Sequence, residues 1–375
     1  MKVLQVYKNY DPTLGGIETH VRQLAVGLSA RGVSSSVLVA ARGFQTIVEN
    51  REGVQVTRAG RIGELASTPL SVALIRELGR SDANIIHLHV PYPVGELGYL
   101  LVGRRRRLVV TYHSDIVRQS WANPMYQPFL RTVLARADAV VATSPSYVGS
   151  SIVLRKLADR CDVVPLGVDV SRFGPTAAGA EAVRHRWRSP DFPALVLFVG
   201  RFREYKGLPF LIDAVRGLPV RLLLVGDGPT AKSIRQYLTR TGQSDQVVIL
   251  TSVGEAELPA YYAAADVFAL PSIQRSEAFG IAMVEAMASG CPVVSTELGT
   301  GTSWVNQDRL TGLVVPPASS DALRAAIELI VGDDGVRAGM GREARIRVEA
   351  QFTEAVMLSR VEGIYEKVLA EKRER

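Results

Sequence analysis

Short apolar runs alternate with helical patterns along most of the chain, and this alternation constrains the fold more than any other feature. In the first half, a helix is predicted over residues 16–31, and strands are predicted over residues 2–7, 35–40, 54–57, 84–89, 108–112, 139–142 and 161–164. Strands that are separated by helices pair in parallel, with the helices covering the faces of the sheet. The first half therefore predicts a doubly wound α/β domain.

A second cycle of strands and helices follows a glycine- and proline-punctuated segment, residues 166–193, which we interpret as a linker. Its strands are predicted over residues 195–199, 221–225, 247–250, 267–270, 292–295 and 312–315. Three helices, 321–331, 335–350 and 353–372, end the chain. We predict two Rossmann-like domains, 1–175 and 176–355, that face each other across a cleft at the carboxyl ends of their strands.

Composition narrows the class of protein. A chain of 375 residues with 47% hydrophobic and 22% charged residues is ordinary for a soluble α/β protein. Only Cys161 and Cys291 are present, too few for a disulfide framework or a zinc site. The amino terminus lacks a signal-peptide pattern, and no apolar run approaches 18 residues. We therefore expect a cytoplasmic protein.

The positive charge is confined to one half of the chain. Residues 1–175 carry 21 Lys and Arg against 13 Asp and Glu, whereas residues 176–375 carry 23 against 24. This asymmetry predicts an anionic partner for the first half: nucleic acid, an acidic membrane surface or a phosphorylated substrate. Nucleic acid is disfavoured because no nucleic-acid motif is present.

Glu277 and Glu285 stand eight residues apart, at the entry and in the body of a helix predicted over residues 280–289. At about 1.5 Å per residue the separation spans roughly 12 Å. Free main-chain N–H groups of Phe279, Gly280 and Ile281 at the positive end of this helix could hold a phosphate. The alternative is a pair of ordinary surface charges, but no lysine or arginine four residues away partners Glu285.

Other glycine-rich or basic turns follow predicted strands of the second half. Arg201 and Lys206 come after the strand 195–199, where fixed cations could stabilise a departing diphosphate without a metal. Gly226 and Gly228 form a turn after the next strand. We also expect amides and hydroxyls of residues 298–302 to lie near a nucleotide.

The first half places adjacent glycines and histidines at its own strand ends. Gly15 and Gly16 join a strand to a helix, where backbone can approach an anion closely, although a structural turn explains them equally well. His87 and His89 share one face of a strand, and metal binding would need further ligands that the sequence does not reveal. A buried structural pair is the alternative, with His89 the better site candidate.

His113 follows the strand 108–112 directly, which is where parallel sheets place site residues. Its imidazole could donate a hydrogen bond to a sugar hydroxyl or to a leaving group. Asp115, Arg118 and Gln119 are candidate contacts for an acceptor.

Two basic features account for much of the positive charge. One is the run of four arginines at residues 104–107, and the other is an amphipathic segment at residues 118–136 that begins near Trp121. Electrostatic attachment to anionic lipid is one interpretation, and a solvated loop with a core-packing helix is the other.

The motifs, taken in chain order, resemble family 4 of the retaining glycosyltransferases, whose fold is GT-B. The resemblance rests on Gly15-Gly16, His113, Arg201 with Lys206, and Glu277 with Glu285, and it covers nearly the whole chain. It implies that the last helix, 356–375, returns to the first domain. It also implies acceptor binding by the first domain and nucleotide-sugar binding by the second.

Residue roles follow from the same resemblance. Glu277 is expected to bind hydroxyls of the donor sugar and Glu285 the ribose diol, with Gly226 and Gly228 lining the nucleotide pocket. Gly15 and Gly16 would contact the donor diphosphate. No metal or other cofactor is expected.

Finer similarity of residues 112–119, 142–145 and 299–303 to bacterial mannosyl- and rhamnosyltransferases of polysaccharide assembly favours GDP-mannose and a polyprenyl-diphosphate-linked glycan. Such an acceptor would place the protein on the inner face of the cytoplasmic membrane. Two alternatives stay open: a nucleotide-sugar 2-epimerase of the same fold, and a sugar-binding protein without catalysis.

Overall fold

The computed structural model describes residues 1–11, 15–65, 68–115 and 123–371, with side chains described from residue 126 onward in the last range. These residues form two compact units. The first contains Met1–Pro165 together with Glu354–Arg375, and the second contains Leu166–Thr353.

The first unit is built on an eight-stranded sheet in the order β10-β9-β8-β7-β1-β2-β4-β3. All neighbouring strands pair in parallel except β3, which is antiparallel to β4. The strands are β1 Lys2–Val6, β2 Ser34–Ala40, β3 Ile47–Arg51, β4 Val54–Ala59, β7 Ile85–Val90, β8 Arg107–Tyr112, β9 Ala139–Ala142 and β10 Cys161–Val163, and a separate hairpin comprises β5 Gly63–Leu65 and β6 Thr68–Leu70.

Helices cover this sheet because their apolar residues recur on one face. They are α1 Gly16–Ala30, α2 Val72–Arg80, α3 Pro93–Gly98, α4 Asn123–Arg136 and α5 Pro145–Ser150, with a π-helix at Tyr99–Gly103 and a 3-10 helix at Leu154–Arg160. The chain's last helix, α14 Glu354–Ala370, shares a core with α1 through residues such as Leu28 and Leu358. The contact is close, since a Cβ at Gly27 would lie 2.5 Å from a Leu358 methyl carbon.

The second unit contains a six-stranded parallel sheet in the order β13-β12-β11-β14-β15-β16. Its strands are β11 Ala194–Val199, β12 Val220–Val225, β13 Val247–Leu250, β14 Val267–Leu270, β15 Val293–Thr296 and β16 Gly312–Val315. The central strands are apolar along their whole length, as expected for strands that are buried on both faces. The helices are α6 Ala180–Trp187, α7 Leu208–Val215, α8 Ala231–Thr241, α9 Leu258–Ala264, α10 Ile281–Ala288, α11 Thr302–Val305, α12 Ser320–Gly332 and α13 Asp334–Gln351, with a 3-10 turn at Glu204–Lys206.

The division between the units differs from the expected one. The first unit ends at Pro165 rather than at residue 175. The segment 166–193 is not a simple linker, because Ala180 and Val183 of α6 are buried in the core of the second unit. Arg188, just after α6, donates two hydrogen bonds to Asp266, at 2.8 and 2.9 Å. The glycines and prolines at the start of this segment predicted a linker, but α6 follows them and packs against the core of the second unit.

The sequence pattern also missed β3 and the hairpin of β5 and β6, whose apolar residues do not alternate cleanly. Among the described residues, no helix combines the length and the apolar character needed to cross a bilayer.

Candidate functional site

The second sheet reverses its strand order between β11 and β14, because the chain leaves β11 toward β12 on one side and later adds β14 on the other. Ligands of open α/β sheets bind beyond the carboxyl ends of the strands at such a reversal. The loop after β11 carries Arg201 and Lys206, and the loop after β14 carries Glu277. The candidate donor site therefore lies where these two loops meet.

Gly207 allows the two loops to approach. Its φ is +65°, and a Cβ there would lie 2.2 Å from the carbonyl oxygen of Pro271. Nearby, the main-chain N–H of Ile273 donates to the carbonyl oxygen of Tyr205 at 2.8 Å. A glycine before α7 thus brings the preceding lysine to the segment that follows β14.

Lys206 and Glu277 form a buried ion pair, with side chains that are only 11% and 10% exposed. The Lys206 ammonium and the Ser272 hydroxyl, at 2.9 Å, both donate to Oε2 of Glu277. Burial acts to lower the pKa of Lys206, but the adjacent Glu277 carboxylate outweighs it and the net pKa is raised. Within the described residues, no hydrogen bond occupies Oε1 of Glu277, which leaves that oxygen able to accept from a ligand.

Hydrogen bonds hold the main chain around Glu277 in place. The Thr300 hydroxyl donates to the Glu277 carbonyl oxygen at 2.7 Å, and the Gly301 N–H donates to the Ala278 carbonyl oxygen at 2.8 Å. Arg275 donates to the carbonyl oxygen of Gly299 at 2.9 Å. Residues 298–302, which we expected near a nucleotide, thus include Thr300, whose described role is to hold the glutamate loop.

Gly226 and Gly228 are required by contact between loops of the protein itself. A Cβ at Gly226 would lie 2.1 Å from the Gly200 carbonyl oxygen, and one at Gly228 would lie 2.3 Å from the Phe202 carbonyl oxygen. These glycines let the β12 loop pack against the loop that carries Arg201. Arg201 is exposed, and in the described part of the chain it makes no ion pair or side-chain hydrogen bond.

The start of α10 has the geometry of an anion site. Gly280 adopts a left-handed φ of +82° as the residue before the helix, and Ile281 is its first residue. No acceptor among the described residues binds the main-chain N–H groups of Phe279, Gly280 or Ile281. The Phe279 side chain points away into the core, where it packs edge-to-face on Phe352.

Glu285 lies one turn further along α10 and is partly exposed. The Tyr262 hydroxyl, itself buried, donates to its Oε2 at 2.6 Å. Burial raises the pKa of Glu285 to about 7, and the Tyr262 hydrogen bond and the Arg172 charge limit the rise. This carboxyl group therefore changes charge near neutral pH.

The first sheet also reverses its order, between β1 and β7, and four histidines cluster there. His20 of α1, His87 and His89 of β7, and His113 after β8 are each at most 4% exposed. His89 and His113 stack with ring centroids 5.3 Å apart, and His20 meets both rings edge-on. The sequence did not single out His20, because it lies inside a predicted helix and not at a strand end; its i+4 relation to Gly16 was the available signal.

Burial keeps this histidine cluster uncharged. Desolvation lowers the pKa of His20 to about 4 and that of His87 to about 3. It also places the pKa values of His89 and His113 well below the usual value, with smaller contributions from neighbouring imidazoles.

One nitrogen each from His20, His89 and His113 lies within 4.8 Å of the others, a spacing that a metal ion could bridge. However, both nitrogens of His89 already make hydrogen bonds, at 2.9 Å to Gln5 and 3.0 Å to His113. Coordination would break one of them, and we therefore regard the histidine cluster as a hydrogen-bonding site.

The remaining candidates of the first unit are used structurally or lie outside the described residues. Gly15 accepts the first hydrogen bond of α1, from the Thr19 N–H at 2.9 Å, and Gly16 begins that helix. Asp115 accepts hydrogen bonds from Tyr112 at 2.9 Å and Ser151 at 2.8 Å. Arg118, Gln119 and Trp121 lie outside the described residues.

Two α/β units, each built on a largely parallel sheet, together with a buried cation and carboxylate at a strand-order reversal, are features of GT-B glycosyltransferases. Residues 180–347 match the family model described as glycosyl transferases group 1, and residues 14–172 match that of glycosyltransferase family 4. The chain is 35% identical to O-antigen chain mannosyltransferase C of Escherichia coli, over 99% of this chain and all of the relative. The chain therefore belongs to the family 4 glycosyltransferases, as its motifs predicted, and it is a hexosyltransferase.

Two further comparisons agree. A D-rhamnosyltransferase of Pseudomonas aeruginosa is 35% identical, over 94% of this chain and 92% of the relative. The solved structure of a sucrose-phosphate synthase from Thermosynechococcus elongatus superposes with a TM-score of 0.83, at 24% identity, and covers 98% of this chain and 99% of that one. The predicted fold class is confirmed, whereas the roles assigned to individual residues stay predictions.

The buried ion pair generates a stability prediction. Lys206→Met should lower the free energy of unfolding by roughly 3–5 kcal/mol, because Glu277 is left as an unpaired buried charge. The double variant Lys206→Met/Glu277→Gln removes both charges and should recover much of that loss. Calorimetric unfolding temperatures of Lys206→Met, Glu277→Gln and the double variant measure the coupling between the two side chains. Losses in the single variants that simply add in the double variant would contradict the prediction.

Proposed function

We propose that the protein transfers mannose from GDP-mannose, with retention of configuration, to a glycan carried on a polyprenyl diphosphate in bacterial polysaccharide synthesis. The observation that carries the proposal is the Lys206–Glu277 pair, in which one carboxylate oxygen is held by the lysine and the other is left for a ligand. A pyranose hydroxyl is a suitable donor for that second oxygen.

The donor would be held chiefly by the second unit. Glu277 would accept hydrogen bonds from sugar hydroxyls, and main-chain N–H groups at the start of α10 would bind the diphosphate. Arg201, exposed and without a described ion partner, would add a charge-assisted bond to the leaving phosphate. Glu285 would bind the ribose diol.

The reaction would exchange one glycosidic bond for another. The bond between the sugar's anomeric carbon and the β-phosphate oxygen breaks while the acceptor hydroxyl oxygen bonds to the same face of that carbon. The acceptor proton passes to the β-phosphate oxygen, and nucleoside diphosphate is released. Fixed cations and amides stabilise the charge that develops on the diphosphate, which removes the need for a metal ion.

The identity of the sugar and acceptor rests on two supports. The motifs at residues 112–119 and 299–303 resemble mannosyl- and rhamnosyltransferases, and the relative in Escherichia coli is named as an O-antigen chain mannosyltransferase. The positive charge of residues 1–175 suits a diphosphate-linked acceptor.

A thermal-shift screen of GDP-, UDP- and dTDP-sugars in the presence of EDTA tests the donor and the absence of a metal together. GDP-mannose should raise the unfolding temperature most, since a hundredfold excess over Kd stabilises by roughly 3 kcal/mol. With an acceptor present, transfer should persist in EDTA. Strict dependence on Mg²⁺ or Mn²⁺, or a preference for another base, would contradict the corresponding part of the proposal.

Glu285 gives donor affinity a pH dependence of known sign. The charged carboxylate is the better acceptor for a ribose diol, and burial raises its pKa to about 7, so affinity should strengthen as pH rises through about 7. Tyr262→Phe removes a hydrogen bond that lowers this pKa and should move the midpoint to higher pH. Calorimetric titration at several pH values measures both, and Glu285→Gln should abolish the dependence. An unchanged pH profile in that variant would exclude Glu285 from the ribose site.

Membrane attachment is proposed at the end of the π-helix that follows α3. Leu101 is 61% and Val102 40% exposed, and exposed Arg104 and Arg105 follow them directly. The other two arginines of the run are used within the protein: Arg106 donates to the Gly79 carbonyl oxygen at 3.0 Å, and Arg107 pairs with Asp138 at 2.7 Å. Apolar side chains beside free cations are suited to an anionic lipid surface.

Flotation with phosphatidylglycerol vesicles tests this surface. Each cation near anionic lipid is worth about 1 kcal/mol, so Arg104→Glu/Arg105→Glu should weaken vesicle binding by about tenfold or more. The exposed pair on α8 supplies a matched control, because Lys232→Glu/Arg235→Glu changes the net charge equally and should have little effect. Equal losses in both variants would indicate attraction by net charge alone.

A further inference from the structure

A continuous chain of buried hydrogen bonds joins His113 to the C-terminal helix. Nε2 of His113 lies 3.0 Å from Nδ1 of His89, and Nε2 of His89 lies 2.9 Å from Oε1 of Gln5 on β1. Nε2 of Gln5 donates to the Tyr365 hydroxyl at 3.1 Å. From there the chain continues at 2.6 Å to Nδ1 of His87, whose Nε2 lies 2.7 Å from the Thr111 hydroxyl. We call these six residues the relay.

The orientation of the Gln5 amide assigns a proton to each nitrogen. Oε1 of Gln5 can only accept, so Nε2 of His89 carries a proton and its Nδ1 holds a lone pair. That lone pair accepts from His113, which must carry its proton on Nε2. Nδ1 of a neutral His113 is then a hydrogen-bond acceptor, and no described residue donates to it.

The other half of the relay holds the amide in place. The Tyr365 oxygen accepts from Gln5, and its own proton goes to Nδ1 of His87, so that Nε2 of His87 donates to Thr111. Turning the amide over would reverse every bond of the relay at once and would move the His113 proton to Nδ1. The position of one amide thus decides whether His113 accepts or donates.

We propose that Gln5 and Tyr365 are positioning residues, which act through His89 to present Nδ1 of His113 as an acceptor for a sugar hydroxyl. The inference rests on the proposed function for the identity of the ligand, but the proton positions follow from this unit alone. It replaces the expectation that His113 donates to the substrate. It also gives the returning helix α14 a part in the site, because Tyr365 lies on that helix.

The relay is stable in a dry interior because all six of its side chains are uncharged. Four of the six side chains, those of Gln5, His87, His89 and Tyr365, are 0% exposed, and those of His113 and Thr111 are 4% and 2% exposed. Burial lowers the pKa of every histidine in the relay, so proton positions, rather than charges, distinguish its two directions.

Nitrogen-15 NMR of histidine-labelled full-length protein tests the inference directly. The chain contains five histidines, so single histidine-to-asparagine variants can assign the spectrum. His113 should show a protonated Nε2 and an unprotonated Nδ1. Gln5→Met keeps the length of the side chain but removes the acceptor, and His113 should then lose its single tautomer. Gln5→Glu, in its ionised form, can only accept from His89 and should preserve the tautomer.

Turnover provides the second measurement. Loss of the correct tautomer should lower kcat by about tenfold or more while KM for the donor changes little, because a misplaced imidazole proton removes the acceptor that holds the sugar in its reacting position. Gln5→Met and Tyr365→Phe should show this loss, and Gln5→Glu should restore turnover relative to Gln5→Met.

Ser71→Ala is the matched control. It removes two buried hydrogen bonds of the same unit outside the relay, to the Gly60 carbonyl at 2.7 Å and from the Leu74 N–H at 3.0 Å. It should lower the unfolding temperature without changing the His113 tautomer or kcat.

A wild-type His113 with its proton on Nδ1, or an unchanged tautomer in Gln5→Met, would overturn the inference whether or not the protein is active. Absence of transfer with any donor would instead overturn the proposed function and leave the NMR result to decide the relay.

Discussion

The buried ion pair of Lys206 and Glu277 is the interaction on which the candidate donor site depends. Two charges that are each about one-tenth exposed are tolerated only when they satisfy each other and when hydrogen bonds complete the carboxylate. Ser272 donates a hydrogen bond to the oxygen that Lys206 also binds, and Gly207 permits the approach of the two loops. Because the lysine occupies one carboxylate oxygen, the other has a fixed direction, and a fixed acceptor is what selective binding of a sugar hydroxyl requires.

The first unit also buries a group of polar side chains, but these side chains are uncharged. Its histidine cluster lies at the strand-order reversal of its sheet, as the ion pair does in the second unit, but its members are neutral and joined by directed hydrogen bonds. Buried polar groups are stable only when partners satisfy them, and the relay provides partners for both ring nitrogens of His87 and His89 and for Nε2 of His113. The Nδ1 atom of His20 is an exception, buried and without a partner in the described chain.

Glycines explain why the loops of the candidate donor site pack so closely. Several glycines that a motif search would assign to ligand contact are needed first by the protein's own backbone: Gly226 faces the Gly200 carbonyl and Gly228 faces that of Phe202. A glycine in a ligand-binding motif can therefore be required by the packing of the protein's own backbone as well as by a ligand. Likewise, half of the four-arginine run is used for internal hydrogen bonds, which leaves Arg104 and Arg105 as its exposed charges.

Local sequence determined most of the strands and helices, the two-unit order and the candidate residues Glu277, Lys206 and His113, because alternating apolar runs and strand-end positions are local properties. It misjudged residues 166–193, where the burial of α6 depends on a distant neighbour, α9. Only the tertiary structure decided that Lys206 pairs with Glu277, 71 residues away, that His20 packs against His113, and that hydrogen bonds through His89 and Gln5 join His113 to Tyr365. The physical reason is that ion pairs, proton positions and pKa values depend on which groups folding brings together, and that sequence spacing does not record these distances.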